Sequence, residues 1–298
     1  MKALNSSADM SRDDVSRIID RALEYATLIE RNELPDRVLR HRVVANVFFE
    51  PSTRTRLSFE LAAKRLGAEV LTLHPETSST IKGESFKDTM MTIVAIGAEI
   101  LVVRHHERGF PKAVHEWTGI PVLNAGDGDG EHPTQALVDA ATLKSRFGEL
   151  DGLSIGVVGD VGHSRVAGSL VHVMPSLGAE VTFIGPAGLL PKTTPDGISV
   201  SHDLDTMLPN LDVVYLLRVQ KERGSLAGAD YEQRFRLDQR RSSAMKPDAV
   251  IMHPGPMNRG IEISPDVADG PRSLILSQVR HGVPTRMAVL SELAEGIL

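Results

Sequence analysis

The sequence predicts an α/β protein built from two domains, each with a parallel sheet. Short apolar runs alternate with helix-length segments along the 298 residues, and this alternation indicates parallel strands joined by helical crossovers. The runs are almost continuously apolar, which is typical of strands covered on both faces. At roughly 100–200 residues per domain, the length favours two domains, each large enough to bury a core.

The first half of the chain contains four predicted strands, which are Val43–Phe49, Glu69–Leu73, Glu99–Val103 and Pro121–Leu123. The helices predicted around them are Arg12–Arg31, Thr53–Leu66, Phe86–Ile96, Phe110–Thr118 and Thr134–Phe147. A Gly-Glu-Leu-Asp-Gly segment follows at 148–152, and a new series of strands begins at Ser154. We therefore expect a domain boundary near this segment, with the last of these helices as the bridge.

The second half contains four more predicted strands, which are Ser154–Val158, Glu180–Ile184, Leu211–Leu216 and Ala249–Met252. One predicted helix, Arg165–Leu177, follows the first of them, and the pattern of Thr285–Leu298 also indicates a helix. That last helix can pack on either domain, and we assign it to the first. The predicted domains are thus residues 1–134 with helix 285–298, and residues 150–284.

Composition excludes several classes of protein and site. The 33 Lys and Arg against 39 Asp and Glu give a net charge of −6, which argues against general nucleic-acid or membrane-surface binding. With no cysteine, disulfides, thiolate metal sites and a thiol nucleophile are excluded. The N-terminus lacks an apolar signal core, and the longest apolar stretch, Met90–Val103, is too short to span a bilayer. We expect a soluble, cytoplasmic protein.

The segment Phe48-Phe49-Glu50-Pro51-Ser52-Thr53-Arg54-Thr55-Arg56 ends a strand and begins a helix. If Ser52 is the N-cap, the amides of Thr53, Arg54 and Thr55 are helix-terminal donors. Together with the hydroxyls, the Arg54 guanidinium and the helix dipole, they would form a site for a phosphate dianion. The alternative is an ordinary capped helix with solvated arginines.

Two further segments should reach the same edge of the sheet. Arg104 ends the third predicted strand, although alone it could be a surface arginine. His132 and Gln135 lie three residues apart across the helix start at Pro133, and an imidazole there could donate to a carbonyl oxygen. His105 and His106 would point in opposite directions if the strand continued through them.

The loop from Thr77 to Ser85, which contains Ser78 and Lys82, has the composition of a mobile surface loop.

In the second half, Gly159–Arg165 follows a strand but lacks the G-x-G-x-x-G spacing, which argues against a nicotinamide cofactor. Arg218 and Gln220 lie on one face beyond another strand. The turn His253-Pro254-Gly255-Pro256 could offer backbone carbonyls to an amide or amine.

Four arginines, Arg54, Arg104, Arg165 and Arg218, are placed at strand ends or loops, and Lys82 could join them. Such a set indicates substrates with several negative charges, with a phosphate bound in the first domain and carboxylates in the second. Paired carboxylates, metal ligands and an activated nucleophile are not evident in the sequence. The pattern therefore favours direct group transfer, driven by positioning and by stabilisation of an oxyanion.

Three motifs together resemble the transcarbamoylase family: Phe-Phe-Glu-Pro-Ser-Thr-Arg-Thr-Arg at 48–56, His-Pro-Thr-Gln at 132–135 and Arg-Val-Gln-Lys-Glu-Arg at 218–223. The last motif and the Lys82-Gly83-Glu84 loop resemble the aspartate branch. The Ser-Met-Gly loop and His-Cys-Leu-Pro turn of the ornithine branch are missing. The resemblance implies a transcarbamoylase-like fold with a Rossmann-like second domain and an active site in the cleft between the domains.

The resemblance also implies how carbamoyl phosphate is bound. Arg104 and His132, with Thr55, would polarise the carbamoyl oxygen and stabilise the oxyanion. Gln135 and the backbone at Gly255 and Pro256 would bind the carbamoyl amide, although Gly255 stands where the family often has leucine. The residues that would hold the phosphate are Ser52, Thr53, Arg54 and Thr55.

For the second substrate, the resemblance implies that Arg165, Arg218 and Gln220 grip the two carboxylates of L-aspartate. Arg165 is the less secure assignment, because the interior of its loop departs from the family pattern. Ser78 and Lys82 would come from a neighbouring subunit, which makes a homotrimer the smallest active unit.

The implied reaction is attack of the aspartate α-amine on the carbamoyl carbon, which gives N-carbamoyl-L-aspartate and phosphate for pyrimidine synthesis. No metal or organic cofactor is implied, and regulatory chains or a dihydroorotase are conceivable partners. Two alternatives stay open: a transcarbamoylase for ornithine or an acylated ornithine, and a non-catalytic sensor of anionic metabolites.

Overall fold

The structure, a computed structural model, describes residues 3–33, 35–219 and 229–298. The chain forms two compact units. The first unit comprises Met1–Ala141 and Val279–Leu298, and the second comprises Thr142–Gln278. Both ends of the second unit therefore fall inside helices.

The first unit is built on a five-stranded parallel sheet with the order β1-β5-β4-β2-β3. Its strands are β1 (Ala3–Leu4), β2 (Val43–Phe48), β3 (Glu69–Leu73), β4 (Ile100–His105) and β5 (Val122–Asp127). The helices that begin in this half of the chain are α1 (Arg12–Glu30), α2 (Thr53–Arg65), α3 (Phe86–Ile96), α4 (Phe110–Thr118) and α5 (Pro133–Phe147).

The second unit contains another five-stranded parallel sheet, with the order β10-β9-β6-β7-β8. Its strands are β6 (Ser154–Val158), β7 (Glu180–Ile184), β8 (Ser199–Ser201), β9 (Val213–Leu216) and β10 (Val250–Met252). The helices that follow are α6 (Arg165–Ser176), α7 (Leu204–Met207), α8 (Ala229–Phe235), α9 (Gln239–Ala244), α10 (Pro265–Ala268) and α11 (Ile275–Ala294).

Each unit has its own apolar core. In the first, Ala45 and Val47 of β2 and Leu101 and Val103 of β4 pack with Met90 of α3. In the second, strand and helix side chains form a larger cluster that includes Val158, Leu216, Tyr231 and Ile251. The predicted fold class, two parallel-sheet α/β domains, is confirmed.

The C-terminal part of α11 packs against α1 within the first unit. The Tyr25 hydroxyl lies 2.9 Å from the Ser291 hydroxyl, and Arg17 donates to the buried Glu292 carboxylate at 2.7 Å. These polar contacts link the first long helix of the chain to the last. Within the described residues, the helices are too short or too polar to cross a membrane.

The strand expected to end at Leu123 continues to Asp127, and this expectation was wrong for a local reason. Residues 124–127 are polar or small, so the apolar pattern stops, but their hydrogen bonds are satisfied internally. Asn124 Nδ2 donates to Asp127 Oδ1 at 3.0 Å, and Asn124 Oδ1 accepts from the Gly126 amide at 2.8 Å.

Candidate active site

The first part of the candidate site is the turn from β2 into α2. Ser52 is the N-cap residue with an extended backbone, as the sequence predicted, but its side chain caps no amide. Its carbonyl accepts from the Arg56 amide at 3.3 Å. The amides of the first helical turn are therefore left without a side-chain cap. Thr53 and Arg54 are exposed there, as an anion site requires.

Thr55 and His132 form a buried pair. Their exposed fractions are 5% and 4%, and Thr55 Oγ1 lies 3.3 Å from His132 Nε2. His132 immediately precedes α5, and its carbonyl accepts from the Gln135 amide at 2.9 Å. The starts of α2 and α5 are therefore joined at this edge of the sheet.

Arg104 lies between these two helix starts, because β4 lies between β2 and β5. Its carbonyl accepts from the Phe49 amide at 2.9 Å. Its guanidinium Nη1 donates to the Ala125 carbonyl at 3.0 Å, and Nε lies 3.7 Å from Glu50 Oε2. These contacts hold the cation at the carboxyl end of the three central strands, where parallel α/β sheets bind ligands.

The electrostatics of this edge favour an anion. Although Arg54 is an exposed residue overall, partial burial lowers the pKa of its guanidinium. A negatively charged ligand would offset that loss of hydration and stabilise the charged form.

Gln135 lies in the first turn of α5, three residues after His132. Its side-chain Nε2 donates to Oδ1 of Asp139, one turn further along the helix, at 2.8 Å. Asp139 is fully buried. Gln135 is predictable from the sequence but Asp139 is not, because a glutamine and an acidic residue four positions apart on a helix also form the usual pattern of a solvent-exposed pair.

Ser78 and Lys82 lie on the loop that follows edge strand β3. The Ser78 hydroxyl donates to the Pro75 carbonyl at 3.0 Å and lies 2.6 Å from Thr80 Oγ1. Lys82 is exposed at the end of a short 3-10 helix. Within the described residues, neither side chain forms a hydrogen bond or ion pair with Thr55, Arg104 or His132.

The second unit carries two of the predicted cations at the carboxyl ends of neighbouring strands. Arg165 is the first residue of α6 after β6, and Arg218 follows β9, where the Leu217 amide donates to the Val158 carbonyl at 2.8 Å. Both side chains are partly exposed. Gln220, the third predicted ligand of the carboxylates, lies outside the described residues.

The turn after β10 is held by a buried pair, His253 and Glu262, that the sequence did not predict. The Gly255 amide donates to His253 Nδ1 at 2.8 Å, so the proton of the neutral ring is on Nε2, which lies 3.3 Å from Glu262 Oε1. The Asn258 amide also donates to Glu262. Gly255 has a φ of +65°, which favours glycine. The hydrogen bonds of His253 and Glu262 thus fix the backbone conformation of the turn at Gly255 and Pro256.

A second contact between a histidine and a carboxylate lies near Arg165. His163 Nδ1 is 2.7 Å from Oδ1 of the buried Asp160, so the carboxylate fixes the position of the ring. Among the described residues, no group of three His, Asp or Glu is arranged to ligate a metal ion.

Comparisons with known proteins agree on one family. Residues 2–145 match the model of the aspartate/ornithine carbamoyltransferase carbamoyl-P binding domain, and residues 151–293 match the Asp/Orn binding domain. The chain is 50% identical to the aspartate carbamoyltransferase catalytic subunit of Salinispora arenicola, with 99% of both chains covered.

Two solved structures are similar over nearly the full chain. Aspartate transcarbamoylase from Trypanosoma cruzi, in complex with carbamoyl aspartate and phosphate, is 32% identical with a TM-score of 0.90, covering 97% of this chain and 95% of that one. The catalytic subunit of M. jannaschii aspartate transcarbamoylase is 35% identical with a TM-score of 0.86, covering 99% of both chains.

Proposed function

Because this chain belongs to the aspartate/ornithine carbamoyltransferase family, we propose that the residues described above bind carbamoyl phosphate and L-aspartate for carbamoyl transfer. The enzyme transfers the carbamoyl group of carbamoyl phosphate to the α-amine of L-aspartate. The products are N-carbamoyl-L-aspartate and phosphate, and the reaction belongs to pyrimidine synthesis.

The observation that carries the residue assignment is the convergence of three helix and strand ends in the first unit. Ser52, Thr53 and Arg54 offer uncapped amides, hydroxyls and a cation to the phosphate. Thr55 and His132 lie in hydrogen-bond contact, Arg104 lies at the carboxyl end of the strand between β2 and β5, and these three groups polarise the carbamoyl oxygen. As the amine attacks, the negative charge that develops on this oxygen is stabilised by the same donors.

The carbamoyl amide and the acceptor are bound by the remaining groups. The Gln135 side chain and the backbone carbonyls at Gly255 and Pro256 accept from the carbamoyl amide. Arg165, Arg218 and Gln220 hold the two carboxylates of aspartate, since guanidinium groups match carboxylates in geometry and charge. Phosphate, once released, accepts the proton of the amine.

We also infer that the active assembly is a homotrimer in which Ser78 and Lys82 act on the site of a neighbouring subunit. Their loop follows edge strand β3, and large apolar side chains are exposed on the elements around it. These exposed residues are Leu57, Leu61, Leu71, Ile81, Met91 and Ile96. A second copy of the chain would cover this surface. Regulatory chains, a dihydroorotase partner and a cytoplasmic location stay predictions.

An acceptor assay tests the function. Purified chain is incubated with carbamoyl phosphate and either L-aspartate or L-ornithine, and the carbamoyl product is quantified. We expect turnover with aspartate to exceed that with ornithine by on the order of 100-fold or more, since the two arginines Arg165 and Arg218 repel a cationic side chain. Faster or equal turnover with ornithine contradicts the proposal, and binding without product would indicate a sensor.

Arg54→Ala tests the phosphate site in the same assay. Loss of one charged donor to the transition state is expected to lower kcat by about 10²–10³-fold, with an unchanged circular dichroism spectrum. Lys64→Ala is the matched control, because Lys64 lies in the same helix and pairs on the surface with Glu60. Near-normal turnover of Arg54→Ala would exclude the assigned role.

A further inference from the structure

The contact between Gln135 and Asp139 determines which end of the Gln135 amide faces the substrate. An ionised carboxylate can only accept hydrogen bonds, so the atom 2.8 Å from Asp139 Oδ1 must be Nε2. The amide oxygen Oε1 is then directed away from Asp139. No hydrogen bond to Oε1 is found among the described residues.

Asp139 can hold the Gln135 amide in this orientation, because its carboxylate is fully buried and lies in a charged environment. Arg286 of α11, 3% exposed, stacks over the Phe59 ring at 5.1 Å and donates to the Gly282 carbonyl at 3.0 Å. Burial lowers the pKa of Arg286 to about 10, while the charge of Asp139 raises it and the charge of Arg104 lowers it. The positive charge of Arg286, which interacts electrostatically with Asp139, favours the ionised, acceptor-only form of this carboxylate.

On the basis of the proposed function, we propose that Asp139 is a positioning residue. It makes the carbamoyl site selective for a ligand that carries an amino group. By holding Gln135 Nε2, it presents Oε1 as an acceptor. Carbamoyl phosphate has an NH₂ group that can donate to this oxygen. Acetyl phosphate has a methyl group at the same position and cannot donate, so Oε1 would lose its hydration without a new partner.

The test compares the dissociation constants of carbamoyl phosphate and acetyl phosphate, measured by calorimetry without aspartate. Asp139→Asn keeps the shape but can donate as well as accept, so the Gln135 amide loses its fixed polarity. We expect the preference for carbamoyl over acetyl phosphate to fall about tenfold, the equivalent of one hydrogen bond. Gln135→Ala should show the same loss, and the double variant should lose no more.

Controls separate positioning from a structural role. Thr134→Val removes a neighbouring buried hydroxyl that has no hydrogen-bond partner among the described residues and should leave the preference unchanged. Inorganic phosphate should bind equally well to every variant, and the ratio of the two constants is independent of the folded fraction. If Asp139→Asn lowers thermal stability but keeps the wild-type preference, the proposal is wrong. Absence of carbamoyl transfer by the wild-type chain would instead overturn the proposed function.

Discussion

His105 ends β4 as a fully buried imidazole. Its ring stacks on Phe110 at 3.8 Å and on His106 at 4.1 Å between centroids, and Nδ1 accepts from the Glu107 amide at 3.0 Å. Burial, then the charge of His106, lowers the pKa of His105 to about 4, whereas Glu107 and Glu50 act in the opposite direction. The folded chain therefore holds this side chain neutral.

This pKa predicts a loss of stability in acid. Between pH 6.5 and 4 the unfolded chain binds the proton at residue 105 and the folded chain does not, so stability falls as the pH falls through this window. His105→Asn, which keeps an acceptor for the Glu107 amide but does not titrate, should lose about 2 kcal/mol less unfolding free energy between pH 7 and pH 5. Urea unfolding at both pH values measures the difference. Parallel losses in the two proteins would contradict the assignment.

At the residue scale, the sequence predicted most of the groups that the structure brings together in the first unit. The strand ends place Thr55, Arg104 and His132 at one edge, which chain order and strand polarity already indicate. The opposed directions expected for His105 and His106 did not occur, because β4 ends at His105 and the two rings stack. Asp139 was missed because its importance depends on burial, which the spacing of polar residues does not reveal.

Among the elements, α11 is the one whose start differs most from the prediction. It begins at Ile275 rather than Thr285, with Gly282 and Pro284 in its interior. Both residues are usually helix-ending signals, so the sequence pattern placed the start after them. Helices whose apolar period is uninterrupted, such as α3 and α4, have the bounds that were predicted.

A substitution at Gly282 tests why α11 has a glycine in its interior. In a helix, Gly→Ala ordinarily stabilises by about 1 kcal/mol. Here an added Cβ would lie 2.9 Å from Nη1 of Arg286, and that buried guanidinium has little room to move. We expect Gly282→Ala to lower the unfolding temperature.

The exposed Arg280 of the same helix provides the control: Arg280→Ala should change the free energy of unfolding by less than about 0.5 kcal/mol. Calorimetry of the purified variants checks both. An unfolding temperature for Gly282→Ala at or above that of the wild type would show that the guanidinium can be displaced without cost.

For the whole molecule, the proposed homotrimer with shared sites predicts that two inactive variants complement each other. Lys82→Ala chains keep Arg54, and Arg54→Ala chains keep Lys82. After equal mixing with subunit exchange, about a quarter of the sites in random trimers should combine both intact residues. The measurement is the turnover of the mixture compared with each variant alone. If chains with different tags are shown to exchange and no activity returns, Lys82 acts within its own subunit.

The path of the chain through its two units has a consequence for synthesis. The first unit is interrupted after Ala141 and completed by Val279–Leu298, and the completing helix supplies Glu292 to Arg17 and Ser291 to Tyr25. A ribosome must therefore translate nearly the entire message before the earliest helix meets its partner. A nascent polypeptide whose synthesis stops halfway would lack α11, so α1 would have no packing partner and would be exposed to proteases and chaperones.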